Sequence, residues 1–238
     1  MSALSLVAAA QLMVFAATSL REAFDELGRR FEASRPGAKV LFNFAGSQEL
    51  RMQIEHGAGA DVLASADERQ LRLLAAAGLT DAPRVFARNE PVIVVPAGNP
   101  AKVEDLRDLR QAQRIVLGAP EVPIGAYALR ILDAASTLYG TGFRQAVEAH
   151  LASRELNVRQ VLAKVRLGEA DAAIVYRTDA ISAGDSVLAI PIPKEVNAVA
   201  EYPIAALRSA ADPALARAFV DFVLSPAGQA VLGRFGFQ

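Results

Sequence analysis

Cysteine is absent from the 238-residue chain, which removes disulfides, thiolate metal sites and a cysteine nucleophile from consideration. Histidine is scarce: His56 and His150 are the only two. Each falls near a predicted helix end, where a solvated cation meets the negative end of the helix dipole, and without cysteine they do not compose a transition-metal site. An excess of either charge is missing as well. The 25 basic and 26 acidic residues give a net charge of −1 and no basic stripe, so a nucleic-acid partner is not expected. No Gly-x-Ser-x-Gly elbow supports a Ser-His-Asp hydrolase, and no dinucleotide fingerprint opens the first strand. The glycines at Gly57 and Gly59 lack the Lys-Ser/Thr ending of a phosphate-binding loop. The chain therefore reads as a non-enzyme without a cofactor.

What is abundant is apolar residue content, 53% of the chain, enough for one large core or two smaller ones. The first charged residue is Arg21, but Ser2, Ser5, Gln11, Thr18 and Ser19 interrupt the leading stretch. That argues against a membrane span, which needs about 20 predominantly apolar residues. Residues 1–10, ending Ala8-Ala9-Ala10, are similar to the apolar and cleavage regions of a secretory signal without its basic start. Residues 1–11 are accordingly read as a signal remnant, with Gln11 near the mature terminus.

Beyond Leu12 short apolar runs alternate with helical patterns, the mark of βα units and a mostly parallel sheet. Strands are expected at Leu12–Ala16, Val40–Phe44 and Asp61–Ser65, with a helix after each. Leu20, Phe24, Leu27 and Phe31 recur at helical spacing, with Ser19 and Glu22 as a capping box. The pattern restarts at the proline-bracketed strand Pro91–Pro96. A strand Arg114–Gly118 and helices Gly125–Tyr139, Phe143–Ala152 and Val158–Leu167 follow, then a strand Ala172–Tyr176. Strands Val187–Ile190 and Tyr202–Leu207 and helices Pro213–Leu224 and Pro226–Arg234 close the chain. These elements compose an α/β fold of two lobes, residues 12–88 with 200–238 and residues 89–199, with a ligand cleft at the hinge.

Four segments place a small polar or glycine-containing turn ahead of a helix: 15–20, 44–48, 122–127 and 156–160. A helix start leaves N–H groups without intrahelical acceptors and carries about half a positive charge, so it attracts an anion without Lys or Arg. Ordinary roles are open at each position. Ser19 and Ser47 serve equally as helix caps, Gly125 as a turn residue, Tyr176 as a packed aromatic, Val158 as a core residue, and Asn157 with Gln160 as a capping box.

Taken in order, the motifs resemble those of periplasmic molybdate-binding proteins, the substrate-capturing components of ABC importers. They are Val14-Phe15-Ala16-Ala17-Thr18-Ser19-Leu20, Phe44-Ala45-Gly46-Ser47, Ala60-Asp61-Val62-Leu63-Ala64-Ser65-Ala66-Asp67, Val122-Pro123-Ile124-Gly125-Ala126-Tyr127, Gly168–Ala180 and Tyr202-Pro203-Ile204. The resemblance implies a type II two-lobed binding protein, monomeric and periplasmic, that captures molybdate or tungstate and delivers it to a membrane permease. It also implies the contacts: Ser19 and Ser47 from one lobe, the N–H groups of Ile124 and Val158 and the hydroxyl of Tyr176 from the other. The metal is reached only through the oxygens of the anion. Gly46 stands where relatives often carry Ser, and Ile124 where a small residue is common.

Two other functions are compatible with such a fold. A binding protein for sulfate or phosphate would share the fold, but monohydrogen phosphate carries a proton and prefers an acceptor, and no acidic side chain occupies these positions. An effector-sensing domain of a transcriptional regulator would need a helix-turn-helix segment ahead of the lobes, which residues 1–11 are too short to hold.

Overall fold

Ala10–Ala17 forms the first strand, β1, in a computed structural model that describes residues 10–238. Residues 1–9 of the proposed signal remnant lie outside the described residues, while Ala10 and Gln11 already belong to β1. The helix Arg21–Ser34 (α1) follows a short 3-10 turn at Thr18–Leu20, and its apolar face, Phe24, Leu27 and Phe31, is buried. Then come β2 (Ala38–Ala45), α2 (Ser47–Glu55), β3 (Val62–Ala64), α3 (Glu68–Ala76) and β4 (Arg84–Asn89).

The second lobe is β5 (Pro91–Pro96), β6 (Ile115–Gly118), α4 (Pro123–Tyr139), α5 (Phe143–Glu148), β7 (Leu151–Glu155), α6 (Val158–Arg166), β8 (Ala172–Tyr176), α7 (Arg177–Ala183) and β9 (Val187–Pro191). The chain then returns through β10 (Ala200–Ala206) to the first sheet and ends in α8 (Pro213–Leu224) and α9 (Pro226–Arg234). Phe219 of α8 meets Phe24 and Phe31 of α1 edge-on, so the closing helices complete the first lobe's core. Among the described residues no single helix is long and apolar enough to cross a membrane.

The two sheets have matching plans, β2-β1-β3-β10-β4 and β7-β6-β8-β5-β9. Three neighbouring strands are parallel in each, β2-β1-β3 and β7-β6-β8. The fourth strand, β10 or β5, enters from the other lobe and runs antiparallel to both of its neighbours. Both sheets are thus mixed rather than mostly parallel, because a strand arriving across the hinge enters in the opposite direction.

Five local expectations change. The helix expected to reach Ala152 stops at Glu148, since Leu151–Glu155 is taken up as an edge strand beside β6. Strand β4 and helix α7 were not expected. Ser19 does not cap α1: the first helical turn has no side-chain cap, and the Ser19 hydroxyl faces Tyr202 instead. Asn157 does cap α6 by accepting from Gln160 N–H at 3.1 Å, but the reciprocal bond from Gln160 reaches Leu156 N–H.

Two buried aspartates have structural roles within the motifs quoted above. Asp61, just ahead of β3, accepts from the backbone N–H groups of Met13 and Ala211 at 2.7 and 2.8 Å. Asp171, just ahead of β8, accepts from those of Gln113 and Arg114 at 3.1 and 2.9 Å. Each ties its strand to neighbouring backbone, and neither lines the cleft.

Candidate functional site

The carboxyl ends of six parallel strands converge on the cleft, which is where open α/β sheets hold their ligands. In the first lobe β1, β2 and β3 lead into Thr18-Ser19, Gly46-Ser47 and Ser65-Ala66. In the second β6, β7 and β8 lead into the start of α4, the start of α6, and Tyr176. One small cavity, of about 10 Å³, is lined by Ser19, Ser47, Ile124, Val158 and Tyr176 together. All four segments singled out on helix-start chemistry contribute to it. No charged side chain lines it. It is far smaller than the roughly 300–1,000 Å³ usual for organic ligands, so nothing larger than a compact ion suits it.

Close backbone approach sets the direction of α4. A Cβ on Gly125 would fall 2.0 Å from Ala119 O, and one on Gly118 would fall 2.8 Å from Gly125 N. Only glycine at both places lets α4 start directly against the end of β6. Pro123 at its first turn costs no hydrogen bond there. Ile124 and Val158 therefore present N–H groups in the first turns of α4 and α6, where the helix offers no acceptor. The Ile124 side chain is buried in the lining.

The two serines are held by their own neighbours. Ser47 Oγ accepts from the Ala66 N–H at 3.0 Å, so its hydroxyl hydrogen is left for the cavity. Ser19 Oγ lies 3.1 Å from the Tyr202 hydroxyl, which in turn faces Asn89 Nδ2 at 3.4 Å. Asn89 Nδ2 can only donate, and also reaches Thr178 Oγ1 at 2.8 Å. The arrangement that satisfies this row has Asn89 donating to Tyr202, Tyr202 donating to Ser19, and Ser19 donating into the cavity. Tyr202 and Asn89, both fully buried on hinge strands, thus support the site from behind. Local sequence pattern gives Asn89 no distinguishing mark, and Tyr202 entered only as part of a motif.

Tyr176 differs from the serines. It is 1% exposed, and its hydroxyl has no hydrogen-bond partner in the protein. A buried hydroxyl left in that state costs about 1–3 kcal/mol. Burial, reinforced by the neighbouring Tyr202 and Tyr127, holds its pKa well above the usual tyrosine value, so it remains a donor throughout the neutral range. Edge-on packing against Tyr127 and Tyr202 fixes the ring. His56 faces Met52 O at the end of α2 with Nδ1 at 2.7 Å, away from the cavity. Among the described residues no group of three or more His, Cys, Asp or Glu side chains could hold a metal ion.

A cleft between two matching lobes, closed over a small void and lined by uncharged donors, defines a two-lobed solute-binding protein. The chain belongs to the bacterial extracellular solute-binding protein family, whose profile matches residues 12–238. Among its relatives is the molybdate-binding protein ModA of Mycobacterium tuberculosis H37Rv. The two are 43% identical over 231 residues, spanning 96% of this chain and 85% of that protein. The fold is also that of the periplasmic molybdate-binding protein of Azotobacter vinelandii, at TM-score 0.83 and 20% identity over 95% and 98% of the two chains. The sulfate-binding protein SubI of M. tuberculosis is similar at TM-score 0.86 and 20% identity, over 96% and 86%. At that identity the two structures speak for the fold alone.

Proposed function

We propose that this protein captures molybdate or tungstate between its lobes and delivers it to the permease of an ABC importer, acting as a periplasmic monomer. The observation that carries the reading is the Tyr176 hydroxyl, buried, protonated and without a protein partner, in a cavity it shares with two serines and two helix starts. A fully ionised tetrahedral oxyanion accepts hydrogen bonds only, so a lining of donors with no carboxylate suits it. Helix ends of about half a charge each supply a favourable field, and lobe opening need not break a buried salt bridge to the ligand. The 43% identity to ModA supports the same ligand.

In this reading Ser19 and Ser47 donate from the first lobe, and Ile124 N–H, Val158 N–H and Tyr176 from the second. A cage sized for molybdate leaves the smaller sulfate unable to reach both lobes at once, and each missed bond strands a buried donor. Thermal shift with molybdate, tungstate, sulfate and phosphate tests this. Ligand at 100 times its Kd adds about 2.7 kcal/mol, so molybdate and tungstate are expected to raise Tm sharply at concentrations where sulfate does little. A shift from another anion and none from these two would overturn the reading.

A further inference from the structure

Beside two of the proposed ligand donors stands a residue that reaches across to the opposite lobe. Next to Ser47, Gln48 of α2 donates through Nε2 to Leu156 O of the second lobe at 2.8 Å. Next to Val158, Arg159 of α6 reaches Glu22 of α1 with both terminal nitrogens, Nη1 to Oε1 at 3.0 Å and Nη2 to Oε2 at 2.5 Å. This planar, two-point pairing fixes direction as well as distance. Arg159 is itself anchored within its own lobe. Its Nε lies 2.9 Å from Oδ1 of Asp179, a side chain with no exposure to water, and Nη1 also meets Ser182 Oγ at 3.0 Å. The contact with Asp179 lacks hydrogen-bond alignment, and it is an ion pair only once the buried carboxyl, pushed up to about 7, has lost its proton.

We propose that Arg159 and Glu22 form a charged strap that positions the start of α6 on the bound anion and sets how long the closed form lasts, with Gln48 as a neutral clasp on the α2 side. This deepens the oxyanion reading and rests on it. Arg159 is not itself part of the cavity lining and acts through the backbone of Val158 next to it. Its side chain is 25% exposed and that of Glu22 40%. Separation of the lobes therefore returns Glu22 to water and leaves Arg159 with the buried Asp179. The charged pair that parts is the one nearer solvent, which lets the strap release without stranding a buried charge. The clasp leaves no spare room: a Cβ on Gly46 would fall 2.5 Å from Leu156 O, so a larger residue there wedges the lobes apart.

The test is the rate of molybdate release, followed by tyrosine fluorescence in a chain with 4 Tyr and no Trp and trapped with excess unlabelled competitor such as tungstate in parallel calorimetry. Glu22→Gln removes the charge and keeps the Arg159–Asp179 pair, so the ligand-free protein keeps its Tm. Release is expected to quicken by up to about fivefold, as for loss of a partly exposed ion pair, with association little changed. Raising the salt concentration speeds release from wild type and not from Glu22→Gln, a response that packing alone does not give. Arg159→Lys, which keeps the charge without the fork, falls between, and Gly46→Ala speeds release through the wedge. If wild type binds molybdate and Glu22→Gln releases it at the wild-type rate, the strap is wrong and the oxyanion reading stands. If wild type binds neither molybdate nor tungstate, both fall.

Discussion

The two lobes meet the cavity with donors prepared in different ways. In the first lobe Ser19 and Ser47 are each held in place by a protein neighbour, Tyr202 and the Ala66 N–H. In the second lobe the donors are two helix-start N–H groups and a phenol with no protein partner. One side is organised by side-chain hydrogen bonds and the other by backbone geometry, tight glycine contacts and aromatic packing. In the proposed reading each first-lobe hydroxyl keeps one protein partner while it waits for ligand, whereas the Tyr176 hydroxyl has none until an anion supplies it. Substitutions on the two sides should therefore separate binding from stability.

Ser47→Ala is expected to have the largest combined effect, because it deletes an anion donor and strands the buried Ala66 N–H. Affinity should fall by about one to two decades and stability by about 1–3 kcal/mol, read by calorimetry and by urea unfolding of the ligand-free protein. Tyr176→Phe should cost a similar one to two decades in affinity yet leave ligand-free stability unchanged or higher, since it removes a buried hydroxyl that has no partner. Equal stability losses in the two variants would erase the contrast between the lobes. Tyr202→Phe acts one bond further out, through Ser19, and should weaken binding by about 0.5–1.5 kcal/mol.

A smaller effect concerns pH and stability. Burial pushes Asp179 up to about 7 from its ordinary 3.8, with Glu22 adding to the rise and Arg159 opposing it; Tyr176 and Tyr202 also face this carboxyl. Between those two values the unfolded carboxyl is ionised while the folded one still holds its proton. Raising pH through that window therefore favours unfolding, and the contribution levels off above it. Asp179→Asn should flatten this part of the curve, measured by Tm across the window, and an unchanged slope would assign the pH dependence to other groups.

Much of the plan was readable because local chemistry and global architecture agree. Strand ends running into glycine or serine turns and then into helices mark the ligand edge of an α/β sheet, and all five proposed contacts line one cavity. The missed elements have physical reasons. Leu151–Glu155 is an edge strand whose side chains are at most half-buried, so it needs no apolar run. Arg84–Asn89 breaks strict alternation, burying two successive residues. Helix α7 spans seven residues and is preceded by Tyr176 rather than a capping residue. The links from Ser19 to Tyr202 and from Glu22 to Arg159 join positions 183 and 137 residues apart, and no periodicity in one chain reports such a pairing.

The most direct measurement is a crystal structure of the protein grown with tungstate, with tungsten located by its anomalous scattering. The expected result is one strong peak in the cavity between the lobes, its oxygens within hydrogen-bond distance of Ser19, Ser47, Tyr176 and the N–H groups of Ile124 and Val158. A peak elsewhere, for instance in the separate cleft lined by Arg69, Arg72 and Arg130, with none between Ser47 and Tyr176, would contradict it.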